Sequence, residues 1–92
     1  MSIDPSTTPA KSENVAFRRL AEGEGGVLLH LESGEYHGIN EVGCLIWELV
    51  DGERTVDGLV AVLDTQIEDP PGDLADQVIA FLHRLRERDL VT

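Results

Sequence analysis

The spacing of apolar residues changes along the chain, and each change marks an element. Val15 to Leu20 alternates Val15, Phe17 and Arg19 against Ala16, Arg18 and Leu20, which predicts a short strand. Val27 to Leu31 and Glu35 to Ile39 are β-prone runs on either side of Glu32-Ser33-Gly34, a turn with a glycine free to take positive φ, so they predict a hairpin. Within the first run Val27, Leu29 and Leu31 share one face, read as the core face, and Leu28 and His30 share the other.

From Asn40 the period becomes helical. Asn40 offers an N-cap oxygen, Val42, Leu45, Ile46 and Leu49 follow at i, i+3, i+4 and i+7, and Asp51-Gly52 is a stop. Thr55 caps a second helix through Val56, Leu59, Val60, Leu63 and Ile67, ended by the prolines in Glu68 to Gly72. Asp73 is the expected N-cap of a third helix, with Leu74, Val78, Phe81, Leu82 and Leu85 on one stripe. Arg84, Arg86 and Arg88 crowd its last turns, where cations complement the helix dipole, an anion site being the alternative. Leu90 is expected to tuck against the core.

This pattern predicts an α+β domain of the winged helix-turn-helix type, a three-stranded antiparallel sheet followed by three helices. The domain is read as residues 15–92. Met1 to Asn14 holds few apolar residues to offset the entropy of ordering it, and is read as a flexible tail.

Composition narrows the function. The 92 residues suffice for one small core. Eighteen acidic side chains against seven basic ones give a formal charge of −11, which repels nucleic acid and acidic membrane surfaces. The single cysteine, Cys44, excludes an internal disulfide, and no segment suits a membrane span or a signal peptide, so a cytoplasmic protein is expected.

No catalytic constellation emerges. His30, His37 and His83 match no metal-ligand spacing, and His30 is read as a solvent-facing strand residue. Cys44 lies beside the apolar stripe of the first helix, as a packed thiol does. The glycines Gly23, Gly25 and Gly26 lack the Lys-Ser/Thr of a phosphate loop, and the carboxylates read as a solvated surface. No cofactor is expected. Trp47 is either core packing or an anchor for a partner, and Tyr36 either packs on the sheet or shapes a groove.

Tyr36, Ile39-Asn40, Val42-Gly43, Ile46-Trp47, Leu49-Val50, Asp51-Gly52 and Arg54-Thr55-Val56 together resemble the pattern of the pyrroloquinoline quinone biosynthesis protein D family, the RiPP recognition elements. The resemblance runs from about Val15 to Val91. It implies a non-catalytic adaptor that captures the leader of a ribosomally made precursor and delivers it to modifying enzymes. It also implies where the leader binds, as an added strand beside Glu35, Tyr36, His37, Gly38 and Ile39, in a cleft closed by the third helix. On that helix the family pattern selects the flank of Gln77, Ala80 and Arg84 over that of Ala75, Ile79 and His83. Phe81 is then the pocket floor, and Asp73 and Asp76 are a polar rim suited to a basic leader. The sequence departs from its relatives at Gln77, where an acidic residue is frequent, and at Asp89, where glycine is.

Nothing follows Thr92, so a stand-alone recognition protein is expected, most like those of split lasso-peptide systems. The ligand is then a leader with a Tyr-x-x-Pro motif, and the partners are a leader peptidase and a macrocyclase. A pyrroloquinoline quinone precursor chaperone is the alternative within the family. A structural interaction subunit is the alternative outside it. The open sheet edge allows either a monomer or an edge-paired dimer. A DNA-binding winged helix lacks its basic face here, and an acyl carrier lacks its Asp-Ser-Leu helix start, since Ser33 sits in a turn.

Overall fold

A computed structural model describes residues 3–92. Three strands, β1 (Val15–Arg19), β2 (Gly26–His30) and β3 (Tyr36–Ile39), precede three helices, α1 (Glu41–Leu49), α2 (Val56–Gln66) and α3 (Leu74–Glu87). The strands form one antiparallel sheet in the order β1-β2-β3, with Phe17 opposite Leu28 and Leu28 opposite His37. The predicted α+β architecture is the observed one.

Local chemistry sets the element ends. Gly34 takes φ +75° in the turn between β2 and β3, a conformation that costs a glycine little. The Asn40 side chain accepts from the Gly43 N–H at 2.8 Å, and the Thr55 hydroxyl accepts from the Gly58 N–H at 3.2 Å, so both predicted caps form. Asp73 is the exception. It makes no side-chain cap, and its carboxylate instead accepts from Gln77 Nε2 at 3.0 Å. At the end of α3, Leu90 N–H reaches the Leu85 carbonyl at 2.9 Å and Asp89 N–H the Arg86 carbonyl at 3.1 Å, a Schellman arrangement. Asp89 accordingly takes φ +58°, the left-handed position that favours glycine.

The core lies between one sheet face and the helices. Leu28, Leu59, Leu63, Val78, Leu82 and Leu90 are fully buried, and Ile46, Trp47, Val50, Phe81 and Leu85 join them. Trp47 is therefore a core residue, with the Phe17 ring 6.3 Å away and Lys11 Nζ 5.2 Å from its ring centre.

Two expectations reverse. The core face of β2 carries Leu28, whereas Val27 and Leu29 are half-buried on the outer face and Leu31, beyond the strand, is 58% exposed. His30 shares the face of Leu28, is half-buried, and accepts from the Ser33 N–H at 3.3 Å instead of facing solvent. Residues 3–12 pack as a strap where a flexible tail was expected, while residues 1 and 2 lie outside the described range. Ile3 is buried. The carbonyls of Pro5, Thr7 and Pro9 accept from the N–H groups of Asp57, Val56 and Gly52, so the strap satisfies orphan donors at the start of α2. Lys11 bridges to Val91 as an isolated antiparallel pair.

Asp51 joins α1 to α2. Its carboxylate accepts from the N–H groups of Glu53 and Arg54, both at 2.9 Å, and meets the Arg54 guanidinium at 3.1 Å. The Arg54 and then the Glu53 amide bonds hold the Asp51 carboxyl below its ordinary value.

Two outcomes follow from this packing. Leu28→Ala is expected to cost about 2–5 kcal/mol in urea unfolding and Leu29→Ala about 1 kcal/mol or less; equal costs would contradict the face assignment. Asp51→Ala is expected to destabilise the domain at neutral pH. Because the folded-state pKa is depressed, that stabilisation is present above the unfolded value and is lost as pH falls through the folded one. The stability gap between variant and parent therefore closes in acid, and a gap independent of pH would contradict the assignment.

Candidate functional site

The sheet presents a free edge along β3. His30 N–H donates to the Glu35 carbonyl at 2.9 Å, and the register continues through the pair of Leu28 and His37. Antiparallel pairs alternate, so His37 and Ile39 direct their main-chain groups to β2, while Tyr36 and Gly38 direct theirs outward. No backbone partner meets either outward N–H among the described residues.

A cleft of about 630 Å³ runs along this edge, between β3 and α3. Glu35, Tyr36, His37, Gly38 and Ile39 line one side with Asn40, and Phe81, Arg84, Leu85 and Arg88 line the other. The helix contribution is a single stripe at i, i+3, i+4 and i+7. A second hollow of about 270 Å³ opens between α1 and α3, lined by Val42, Gly43, Ile46, Leu74, Gln77 and Val78. The two share Asn40, Phe81 and Arg84, and so form one groove.

Eight of the eleven predicted site residues meet in this groove: the five of the strand, together with Gln77, Phe81 and Arg84. Asp73, just before α3, and Asp76 and Ala80 on it are exposed and do not line the groove. The expected acidic rim is thus not part of the groove wall. Asn40, Leu85 and Arg88 line the main cleft and were not among the predicted residues. The signal for Leu85 and Arg88 was present in the sequence, one and two turns along the stripe that begins at Phe81.

Close packing fixes the floor. A Cβ on Gly43 would lie 3.1 Å from the Phe81 ring, 3.1 Å from Ile39 Cβ and 3.2 Å from Asn40 Oδ1. Glycine at 43 therefore lets α1 approach both groove walls. By contrast, a Cβ at Gly38 would meet nothing within 4 Å.

The helix side of the groove carries two arginines. Arg84 lies 5.9 Å from the Phe81 ring centre, and neither Arg84 nor Arg88 has a carboxylate within 4 Å among the described residues. Arg19 is engaged by Glu41 and Glu48, and Arg54 by Asp51. Glu35 is the one acidic residue lining the cleft, with its carboxylate 3.9 Å from His37 Nε2. Tyr36 is 71% exposed and stands at the cleft mouth, on the outer side of the sheet.

Cys44 is buried, and burial pushes its thiol up, away from the reactive thiolate. No group of three His, Cys, Asp or Glu suited to a metal occurs among the described residues. No described helix is long and apolar enough to cross a membrane.

These features define a small α+β domain of winged-helix type with a groove along one sheet edge. The chain belongs to the family described as coenzyme PQQ synthesis protein D (PqqD), which matches it over residues 25–91. Among curated proteins, the PqqA binding protein of Pseudomonas fluorescens (strain Pf0-1) is 35% identical over 92 residues, covering 100% of this chain and 98% of its own. The structure described as lasso peptide synthetase B1 complexed with the leader peptide superposes with a TM-score of 0.76 at 20% identity, over 94% of this chain and 99% of that one. The solution NMR structure of the PqqD truncation of Methylobacterium extorquens PqqCD, a functional and stand-alone RiPP recognition element, has a TM-score of 0.81 at 20% identity, over 99% of this chain and 95% of that one. At these identities the structural likeness is one of fold.

The Gly43 contact yields a prediction. In Gly43→Ala the added methyl is expected to displace the Phe81 ring and Ile39, shifting their side-chain NMR signals while those of Phe17 and Trp47 hold. Unchanged Phe81 and Ile39 signals would contradict the close approach.

Proposed function

We propose that this protein is a non-catalytic adaptor that captures the leader of a ribosomally synthesised precursor peptide by β-strand addition to β3. The observation that carries this reading is the outward main-chain groups of Tyr36 and Gly38 beside a groove with an apolar floor. An extended peptide pairs with such an edge through its backbone and places alternate side chains in the groove. Membership of the PqqD family and a relative whose name states that it binds PqqA support a peptide as the ligand.

The precursor is read as lasso-peptide type, with a Tyr-x-x-Pro leader whose Tyr and Pro supply apolar anchors. The adaptor then hands the leader to a leader peptidase and a macrocyclase in the cytoplasm. A second reading, a pyrroloquinoline quinone precursor, is favoured by the 35% identity to the PqqA binding protein. In either case a second copy of the chain would compete with the leader for the same edge.

Fluorescence polarisation with labelled leaders of both precursor classes tests this reading. Saturable binding is expected for one class. Gly38→Pro removes an outward donor without breaking a ladder bond to β2, and should weaken binding at least about tenfold, as loss of one main-chain hydrogen bond in a groove would. Gly38→Ala adds a methyl into open space and should bind like the parent. A folded protein that binds neither leader, or equal affinity in the proline variant, would overturn the proposal.

A further inference from the structure

The geometry points to a charge preference built into the groove: the leader segment that adds to β3 carries an acidic side chain, held between Arg84 and Arg88. This inference rests on the strand-addition reading and names the ligand chemistry that reading leaves open.

The chain has seven basic residues and eighteen acidic ones, so a surface cation has many carboxylates to meet. Arg19 and Arg54 do meet them, whereas Lys11, which lies over the Trp47 ring, and Arg18 have no carboxylate within 4 Å among the described residues. Arg84 on α3 and Arg88 at its C-cap line the side that faces β3, also with no carboxylate within 4 Å among the described residues. Complementing the helix dipole requires positive charge in the last turns of α3, and it is indifferent to which side of the helix carries it. It therefore does not account for two arginines four residues apart on the cleft side. A guanidinium is a planar donor fork matched to carboxylate, and two of them one turn apart can hold a single carboxylate from both sides.

The walls also fix where that carboxylate lies along the peptide. The hollow between α1 and α3 shares Asn40, Phe81 and Arg84 with the main cleft, so the Asn40 end of β3 adjoins Phe81 and Arg84. Leu85 and Arg88 line only the main cleft, which runs on to Glu35 at the hairpin end, so the arginine pair extends from Phe81 toward the hairpin. From Phe81 to the midpoint of Arg84 and Arg88 is about five residues of helix, or about 7.5 Å. Two residues of an extended strand cover about 6.7 Å and return to the same face. An apolar anchor over Phe81 and an acidic residue two positions away, on the hairpin side, therefore fit both walls at once.

The preference works against the long-range field. A net charge of −11 repels an acidic peptide at a distance, whereas the arginine pair attracts it in contact. Salt screens both effects with opposite results for affinity, so substitution rather than ionic strength separates them.

The test uses the leader that binds best in the polarisation assay, resynthesised with Glu, Gln or Lys two positions from its apolar anchor. The parent protein is expected to bind the Glu peptide about tenfold or more tightly than the Lys peptide, with Gln between. Arg84→Gln with Arg88→Gln should erase the ranking, and Arg84→Glu with Arg88→Glu should invert it. Tight binding with no ranking among the three peptides, or a ranking that survives in the double Gln variant, overturns the acidic preference while strand addition stands. Equal affinity of all three peptides for the parent and for Gly38→Pro overturns strand addition, and the preference with it.

Discussion

Tyr36 and Gly38 hold main-chain donors and acceptors that the sheet does not use, and the rest of the domain is arranged around keeping them so. A sheet edge of this kind is a hazard unless it is short, covered or paired. β3 is only four residues long, and α3 stands across the cleft from it without supplying a backbone partner. The edge is neither closed nor fully exposed, which suits a partner that brings its own backbone.

The spacing of that cleft depends on packing at its base. α1 starts at the Asn40 cap, directly after β3, and Gly43 lets its first turn sit against Ile39 and Phe81. α3 is in turn anchored by Leu74, Val78, Leu82 and Leu85, and its end is fixed by the Schellman turn at Asp89. Residues 3–12 tie the start of α2 to the last residues of the chain through main-chain hydrogen bonds. Helix caps, one close-packed glycine and a strap thus set the width of a groove that none of them forms alone.

Much of this was legible in the sequence, because the elements are marked by side chains with local roles. Asn40 and Thr55 cap where the hydrophobic period changes, and the stripe from Leu74 to Leu85 is the buried one. The core face of β2 was not legible. Val27, Leu29 and Leu31 are more apolar as a set than Gly26, Leu28 and His30, yet the latter side faces the helices. Its small member lies so near α1 that a Cβ on Gly26 would sit 2.9 Å from Cys44 Sγ. A close approach of this kind selects for smallness, which a hydrophobic count reads as weakness. The strap was not legible for a related reason, since the carbonyls of Pro5, Thr7 and Pro9 do the bonding, and of its two buried side chains, Ile3 and Pro9, only Ile3 is a large apolar one. In the groove, the strand wall followed from the family pattern, but the charge of the helix wall did not. Carboxylates near the start of α3 suggested an acidic rim, whereas the stripe that faces β3 carries Arg84 and Arg88.

Amide hydrogen exchange with and without a bound leader tests strand addition most directly. The account predicts that the Tyr36 and Gly38 amides, which have no backbone partner among the described residues, become strongly protected on binding. His37 and Ile39, already paired with β2, should change less. Leader binding that leaves Tyr36 and Gly38 exchanging as in the free protein would contradict the account.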